Sequence, residues 1–364
     1  MNTLYKYICY LLKKNQNWIP FDRFLKIALY TPKIGYYTKK NIRNKDYITA
    51  PIMGHILGKC IAYHFIPILE NLSKDAIILE IGAKDITLAI AILSLLEKKN
   101  RLPKEYWILE INKYFREEQK KILNTNFPNF KKRIIWIDKL PSYKFEGIIL
   151  GNEFLDSIPF KRFEIYQSNI FELGVSKKNK ENLFIWNRSI IKQKFWQKKI
   201  NRYFLPDGYR SEMHFLYYKY FKKLLFNLNE GYVLWIDYGY SKNIYYHPER
   251  KDGTLSCYYK HKFHNNPFQY IGNQDITSHV NFSEIASSLK KMKFIIIGFT
   301  TQTNFLLQNG LMNLQSKKIS LSLSCELKKL LLPNYMGDIF KFLGAYKGKK
   351  LQNLKSWNVK QLNL

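Results

Sequence analysis

The sequence predicts an α/β protein built on a doubly wound, largely parallel sheet of seven strands, with a helical segment before it and β-rich insertions within it. Three observations predict this. Short, continuous runs of β-branched and aromatic residues recur from residue 76 onward, helical segments separate the first few, and no repeat or Pro-rich linker divides the 364 residues. Runs apolar at every position suit strands covered on both faces, and a helix between successive runs is the crossover that parallel strands require.

Residues 1–72 read as helical, with apolar spacing over 4–12 and 23–30, a stretch punctuated by Gly and Pro, and a further helix from about 55 to 72. The expected strands are AIILEIG (76–82), YWILEI (106–111), IIWI (134–137), GIILG (147–151), YVLWIDYG (232–239), FIIIGFT (294–300) and FKFLGAY (340–346). Two stretches interrupt them. Residues 160–188 alternate like a pair of β-hairpins, and 243–275 form an aromatic, His-containing loop too polar for a core. Insertions are therefore expected at about 160–205 and 241–275 of a domain running 73–348, followed by a tail over 349–364.

The chain is long enough to bury a large core without staples. Cys9, Cys60, Cys257 and Cys325 are scattered, so neither a disulfide framework nor a zinc knuckle is expected. The first residues contain too short an apolar run for a membrane span and lack a cleavage site or a transit-peptide composition, which makes cytoplasmic residence the expectation. Lys and Arg number 59 against 28 Asp and Glu, a formal net charge of +31. The excess is spread along the whole chain as Lys and travels with many Ile, Asn, Tyr and Phe, all written with AT-rich codons. Compositional drift explains it without a specific nucleic-acid partner, although the field still permits nonspecific binding at low salt.

Ligands of open α/β sheets bind beyond the carboxyl ends of the strands, near the point where strand order reverses. The first strand ends in Glu80-Ile81-Gly82-Ala83-Lys84-Asp85-Ile86, then a helix. A glycine turn here brings backbone N–H groups to a ligand, although a plain strand-to-helix turn reads the same way. Glu110 closes the second strand at the spacing where an acidic residue binds ribose hydroxyls, and Asp138 follows the third, placed to meet an adenine amino group. Alone, Glu110 is equally a solvated strand-end carboxylate and Asp138 is more commonly a surface one; the glycine turn and the two carboxylates together favour a nucleoside cofactor.

Longer blocks are more specific. In order, FLKIALYTPKIGYYTKK, GNEFLDSIPFKRFE, WIDYGY, YYHPERKDGTLSCYYKHKFHNNPF, NQDITSHVNF, TTQTNFLLQNG and LLPNYMGDIFKFLGAYKG closely resemble the MidA-type class I methyltransferases over residues 21–348. That family includes the mitochondrial protein-arginine methyltransferase that assists assembly of respiratory complex I. The resemblance implies a Rossmann-like sheet whose last strand returns as a hairpin, S-adenosyl-L-methionine as donor, and a protein partner with an acceptor arginine, with a respiratory-complex subunit as one candidate. The cofactor would be held by Glu80, Gly82, Ala83, Glu110, Asp138 and Asn152. The family loop resembles E-x-G-x-G-x-G, whereas this chain keeps Glu80 and Gly82 and has Lys84 and Ile86 at the other glycine positions. Lys45 before Asp46 and Ile52 after Pro51 likewise replace the family's Gly-Asp-Phe and Pro-Glu. A side chain forced to positive φ costs about 1–2 kcal/mol, so the altered loop also motivates a noncatalytic assembly factor as the alternative.

The acceptor stretch is Gly151-Asn152-Glu153-Phe154-Leu155-Asp156-Ser157. Guanidinium is always protonated in water, and a carboxylate pair can grip its planar fork while one nitrogen is aimed at the methyl. Glu153 and Asp156, three apart, are the expected first and second clamps, with Asn152 orienting cofactor or substrate. A capping Asp156 and a solvated Glu153 are the plainer explanation. Asp237 and Tyr238 are expected to close the far wall, His279 is a candidate proton acceptor or a structural histidine, and His247, His261 and His264 fit a substrate lid better than a metal site.

Overall fold

The run Ile77–Ile81 (β1) is buried at all five positions, as a strand apolar throughout must be when both faces are covered. The computed structural model describes residues 3–40, 51–178, 183–191, 193–214, 216–314 and 321–349. The substituted motif at Lys45, Asp46 and the Ile52 side chain lies outside these described residues. The chain divides into two units by contact: residues 48–155, 218–239 and 282–364 in one, residues 1–47, 156–217 and 240–281 in the other.

The first unit holds the main sheet. Beside β1 stand Tyr106–Leu109 (β2), Ile134–Ile137 (β3), Phe145–Asn152 (β4), Leu228–Tyr240 (β5), Ile295–Thr301 (β6) and Phe340–Lys347 (β7), in the order β3-β2-β1-β4-β5-β7-β6. The five strands from β3 to β5 are parallel, and β7 runs antiparallel to both β5 and β6. A two-residue strand, Val280–Asn281, lies off this path and makes eight where seven were expected. Strand order reverses between β1 and β4, so the crevice opens at their carboxyl ends.

Three helices of this unit come before or follow its first strands. Pro51–Asn71 (α1), apolar over most of its circumference, packs on Thr87–Lys98 (α2), which buries Leu88, Ile90, Ile92 and Leu96 among others. Lys113–Asn126 (α3) starts after β2 because the Asn112 side chain accepts from the N–H groups of Tyr114 and Phe115 at 3.0 and 3.4 Å, satisfying two of the helix's orphan donors.

The second unit gathers the N-terminal helices Thr3–Lys14 and Phe21–Tyr30 around a core that includes Phe21, Phe24, Phe160 and Val175. Its larger sheet contains the meander Lys161–Tyr166, Asn169–Lys177 and Phe184–Ile190, and Arg210–Met213 pairs beside the first of these. Ser256–Tyr259, Lys262–His264 and Asp275–Thr277 form a three-stranded sheet where a polar loop was expected. Cys257 and Ile276, apolar neighbours across that sheet, explain the difference by facing the core. The first two helices bury their apolar faces with the insertions, whereas α1 buries with α2. Among the described residues no helix is long and apolar enough to cross a membrane.

Candidate active site

At the end of β1, Gly82 donates its N–H to the carbonyl of Leu109 at 2.9 Å and takes φ +70°, a conformation open to glycine without strain. A Cβ there would meet only Phe154 Cδ2, at 4.0 Å, so the loop floor is clear. Neither substituted position crowds it. Ile86 has φ −94° and turns into the core, 2% exposed, while Lys84 is exposed and is not among the residues with positive φ. Asp85 accepts from the N–H of Thr87 at 2.8 Å and so starts α2.

Two buried carboxylates flank this turn. Glu80 accepts from the Tyr106 hydroxyl at 2.8 Å, yet burial pushes its carboxyl up to about 8; Tyr106 pulls the other way, and the charges of Asp85 and Glu110 add to the rise. Glu110, also buried, accepts from the N–H of Asn112 at 2.7 Å. Asp138 is exposed and ion-paired with Arg116 of α3. Ala83 is buried, and its carbonyl accepts from the side-chain amide of Gln119, whose oxygen accepts from Trp136 Nε1 at 2.7 Å. Sequence reasoning missed Gln119, although the signal was present: it sits four residues from both Phe115 and Leu123, inside the apolar stripe of α3.

At the end of β4, Gly151 lies where a Cβ would come within 2.6 Å of Trp235 Cζ3, and that ring is held by stacking on Phe221, centroids 5.3 Å apart. Asn152, partly exposed, ends the strand. Glu153 then adopts φ 48°, with its N–H donating to the Ile236 carbonyl at 2.9 Å. Leu155 N–H donates to Asp237 Oδ2 at 2.9 Å, and Tyr238 N–H to Asp237 Oδ1 at 3.0 Å. Asp237 is fully buried. Expected as a pocket wall, it braces the acceptor turn from β5. Burial raises the Glu153 carboxyl; Lys84 draws it back down and Asp85 pushes it up, so the glycine loop and the acceptor turn share one electrostatic field.

Asp156 belongs to the second unit, where it is buried. His279, in the same unit, packs on the Tyr240 ring with centroids 5.1 Å apart, and burial followed by the charge of Arg250 lowers it to about 4, so the ring is neutral at pH 7. His247 and His264 each accept a backbone N–H two residues on, and among the described residues no cluster of three or more His, Cys, Asp or Glu could hold a metal ion.

Residues 60–300 match the model of the family described as "Putative S-adenosyl-L-methionine-dependent methyltransferase". The chain belongs to this family. Two crystal structures from Burkholderia thailandensis resemble the methyltransferase along nearly its whole length. A native structure of an uncharacterized protein is 28% identical, covers 94% of this chain and 91% of its own, and superposes with a TM-score of 0.86. A second, bound to S-adenosyl-homocysteine, is 28% identical, covers 94% and 92%, and has a TM-score of 0.87. The donor of this methyltransferase is S-adenosyl-L-methionine. The site fits it: the position beside Gly82 is open, Ile86 is withdrawn into the core, and the field of Glu110 reaches Glu80 across the same strand ends.

Proposed function

We propose that the methyltransferase is of the MidA type and methylates an arginine of a protein partner. The observation that supports this reading most is Glu153. A non-glycine residue keeps a left-handed backbone only where its surroundings over-determine it, and such strain concentrates where a side chain must be aimed. Here the hydrogen bonds to Ile236 and Asp237 hold the turn, leaving a carboxylate at the end of β4 in the field of Lys84.

The bound donor supplies a sulfonium methyl and leaves as a neutral thioether. Glu153 accepts N–H groups from the guanidinium and keeps its positive charge on the nitrogens that do not react, so the lone pair of the remaining nitrogen is free to attack. The N–CH3 bond forms as the C–S bond breaks, and the attacking nitrogen sheds one proton. Asp156 is proposed as the second carboxylate and His279 as the proton acceptor on the sequence argument. A ring held near 4 passes such a proton on to water rather than keeping it. Gly82 and Ala83 through their backbone, with Glu80, Glu110, Asp138 and Asn152, are the proposed donor-binding set. The reading includes cytoplasmic residence, no specific nucleic acid, and a respiratory-complex subunit as the partner class suggested by the MidA resemblance.

The alternative, a noncatalytic assembly factor, drew its motive from the altered loop. Lys84 and Ile86 carry no left-handed strain, which favours the catalytic reading. The test is transfer of labelled methyl from S-adenosylmethionine to protein extract, followed by acid hydrolysis. Methylarginine is expected, falling about 100-fold or more in Glu153→Gln while S-adenosyl-homocysteine still binds. Label on another residue type, or none, refutes the arginine reading.

A further inference from the structure

The unit containing Asp156 carries polar groups that the proposed transfer does not use. The strands Ser256–Tyr259 and Asp275–Thr277 pair antiparallel, with Asp275 opposite Tyr258 and Thr277 opposite Ser256. Residues two apart on a strand, and those directly opposite, share a face. Asp275, Thr277, Tyr258 and Ser256 therefore face one way, while Cys257 and Ile276 face the apolar core. Tyr37 joins the polar face by donating its hydroxyl to Asp275 Oδ1 at 2.6 Å. Tyr30 packs beside Tyr37, centroids 5.4 Å apart, and donates to the carbonyl of Ser157 at 2.7 Å. That contact brings the neighbouring Asp156 to the same place, and its charge is felt at both Tyr37 and Tyr258.

Asp275 and Asp156 are 4% and 7% exposed, so two carboxylates sit under cover among tyrosine rings. Thr277 adds an independent sign of a ligand. Its hydroxyl is fully buried and has no hydrogen-bond partner, although it stands two residues from Asp275 on the same face. A buried hydroxyl left so is unfavourable until a hydrogen-bonding group reaches it, and its lone pairs can accept an N–H.

We propose that Asp275 and Thr277, with Asp156 and the rings of Tyr37 and Tyr258, form the recognition site for the cationic head of the acceptor side chain. This deepens the arginine reading and rests on it. The carboxylates and the Thr277 oxygen accept N–H groups, and the tyrosine rings offer their faces to a planar cation. A neutral head of the same shape leaves the carboxylate charge uncompensated, so charge is read together with shape.

The full-length protein, saturated with S-adenosyl-homocysteine, is titrated calorimetrically with N-acetyl-arginine methylamide and with its lysine and citrulline analogues. The arginine compound is expected to bind and the citrulline compound to bind at least about tenfold more weakly. Asp275→Asn weakens the arginine compound about tenfold, and Thr277→Val about threefold, with S-adenosyl-homocysteine affinity within about twofold of the unmutated protein in both. Thr277→Val removes a hydroxyl that has no partner, so its thermal unfolding is expected unchanged or raised, which keeps the test sound if Asp275→Asn misfolds. Undiminished arginine binding in the folded variants overturns the proposal and leaves the arginine reading standing. Preference for the lysine compound, lost in the variants, upholds the site and overturns that reading. No binding of either cation to the unmutated protein overturns both.

Discussion

Gly82 is the residue at which the cofactor loop depends on glycine. Its φ of +70° is strained for any other side chain, yet the nearest atom to an added Cβ is 4.0 Å away. Gly82→Ala should therefore destabilise the fold by only about 1 kcal/mol, from backbone strain alone. Its added methyl should weaken S-adenosyl-homocysteine about tenfold, read by calorimetry. Ile86 behaves in the opposite way. Placing there the glycine that the MidA resemblance implies, Ile86→Gly, removes a side chain 2% exposed from the core and should cost about 3–5 kcal/mol in chemical denaturation. The strand-end places of Gly82 and Glu110 were legible because the apolar runs before them read as strands. What Gln119 and Asp237 hold was not, since each bonds a partner remote in sequence: Ala83 for one, Leu155 for the other.

Among the elements, β5 supports the end of β4 through Asp237. Asp237→Ala leaves the N–H groups of Leu155 and Tyr238 without this acceptor and should destabilise by about 2–4 kcal/mol. Asp237→Asn keeps one acceptor oxygen and should fall between that variant and the unmutated protein, in urea titrations and in methyl transfer alike. The strands themselves were readable from sequence to within a few residues, because runs apolar at every position admit little else; IIWI is β3 from end to end. Which core each N-terminal helix joins was not readable. The helices Thr3–Lys14 and Phe21–Tyr30 have the same apolar spacing whichever core receives them, and only the fold assigns them to the insertions.

For the whole molecule, buried titratable groups set opposing pH slopes. Burial lowers His64 to about 4, His214 to about 3 and His279 to about 4, from an ordinary value of 6.5. Below pH 6.5 the unfolded chain binds protons that the folded chain refuses, so stability falls as pH drops toward 4. Glu80 works the other way: raised to about 8 from 4.5, it keeps its proton in the folded state, and its contribution is lost as pH rises from 4.5 to 8. Three strongly lowered histidines against one strongly raised carboxyl put the greatest stability near pH 6.5, with the steeper fall on the acid side; His55, lowered less, adds to the acid limb, and Glu153 and Glu172, raised less, to the alkaline one. A scan of thermal midpoints from pH 4 to 9 checks this, and Glu80→Gln should flatten the alkaline limb; a limb unchanged in that variant contradicts the assignment.

The inward turn of Ile86 and the outward placement of Lys84 bear on how such chains are recognised in lineages whose codons have drifted toward A and T. Of the three glycine letters, only the one with a left-handed dihedral is irreplaceable by backbone geometry. Inventories that count letters will score such genes as relics, whereas those that ask which letter bends the chain will keep them among working enzymes.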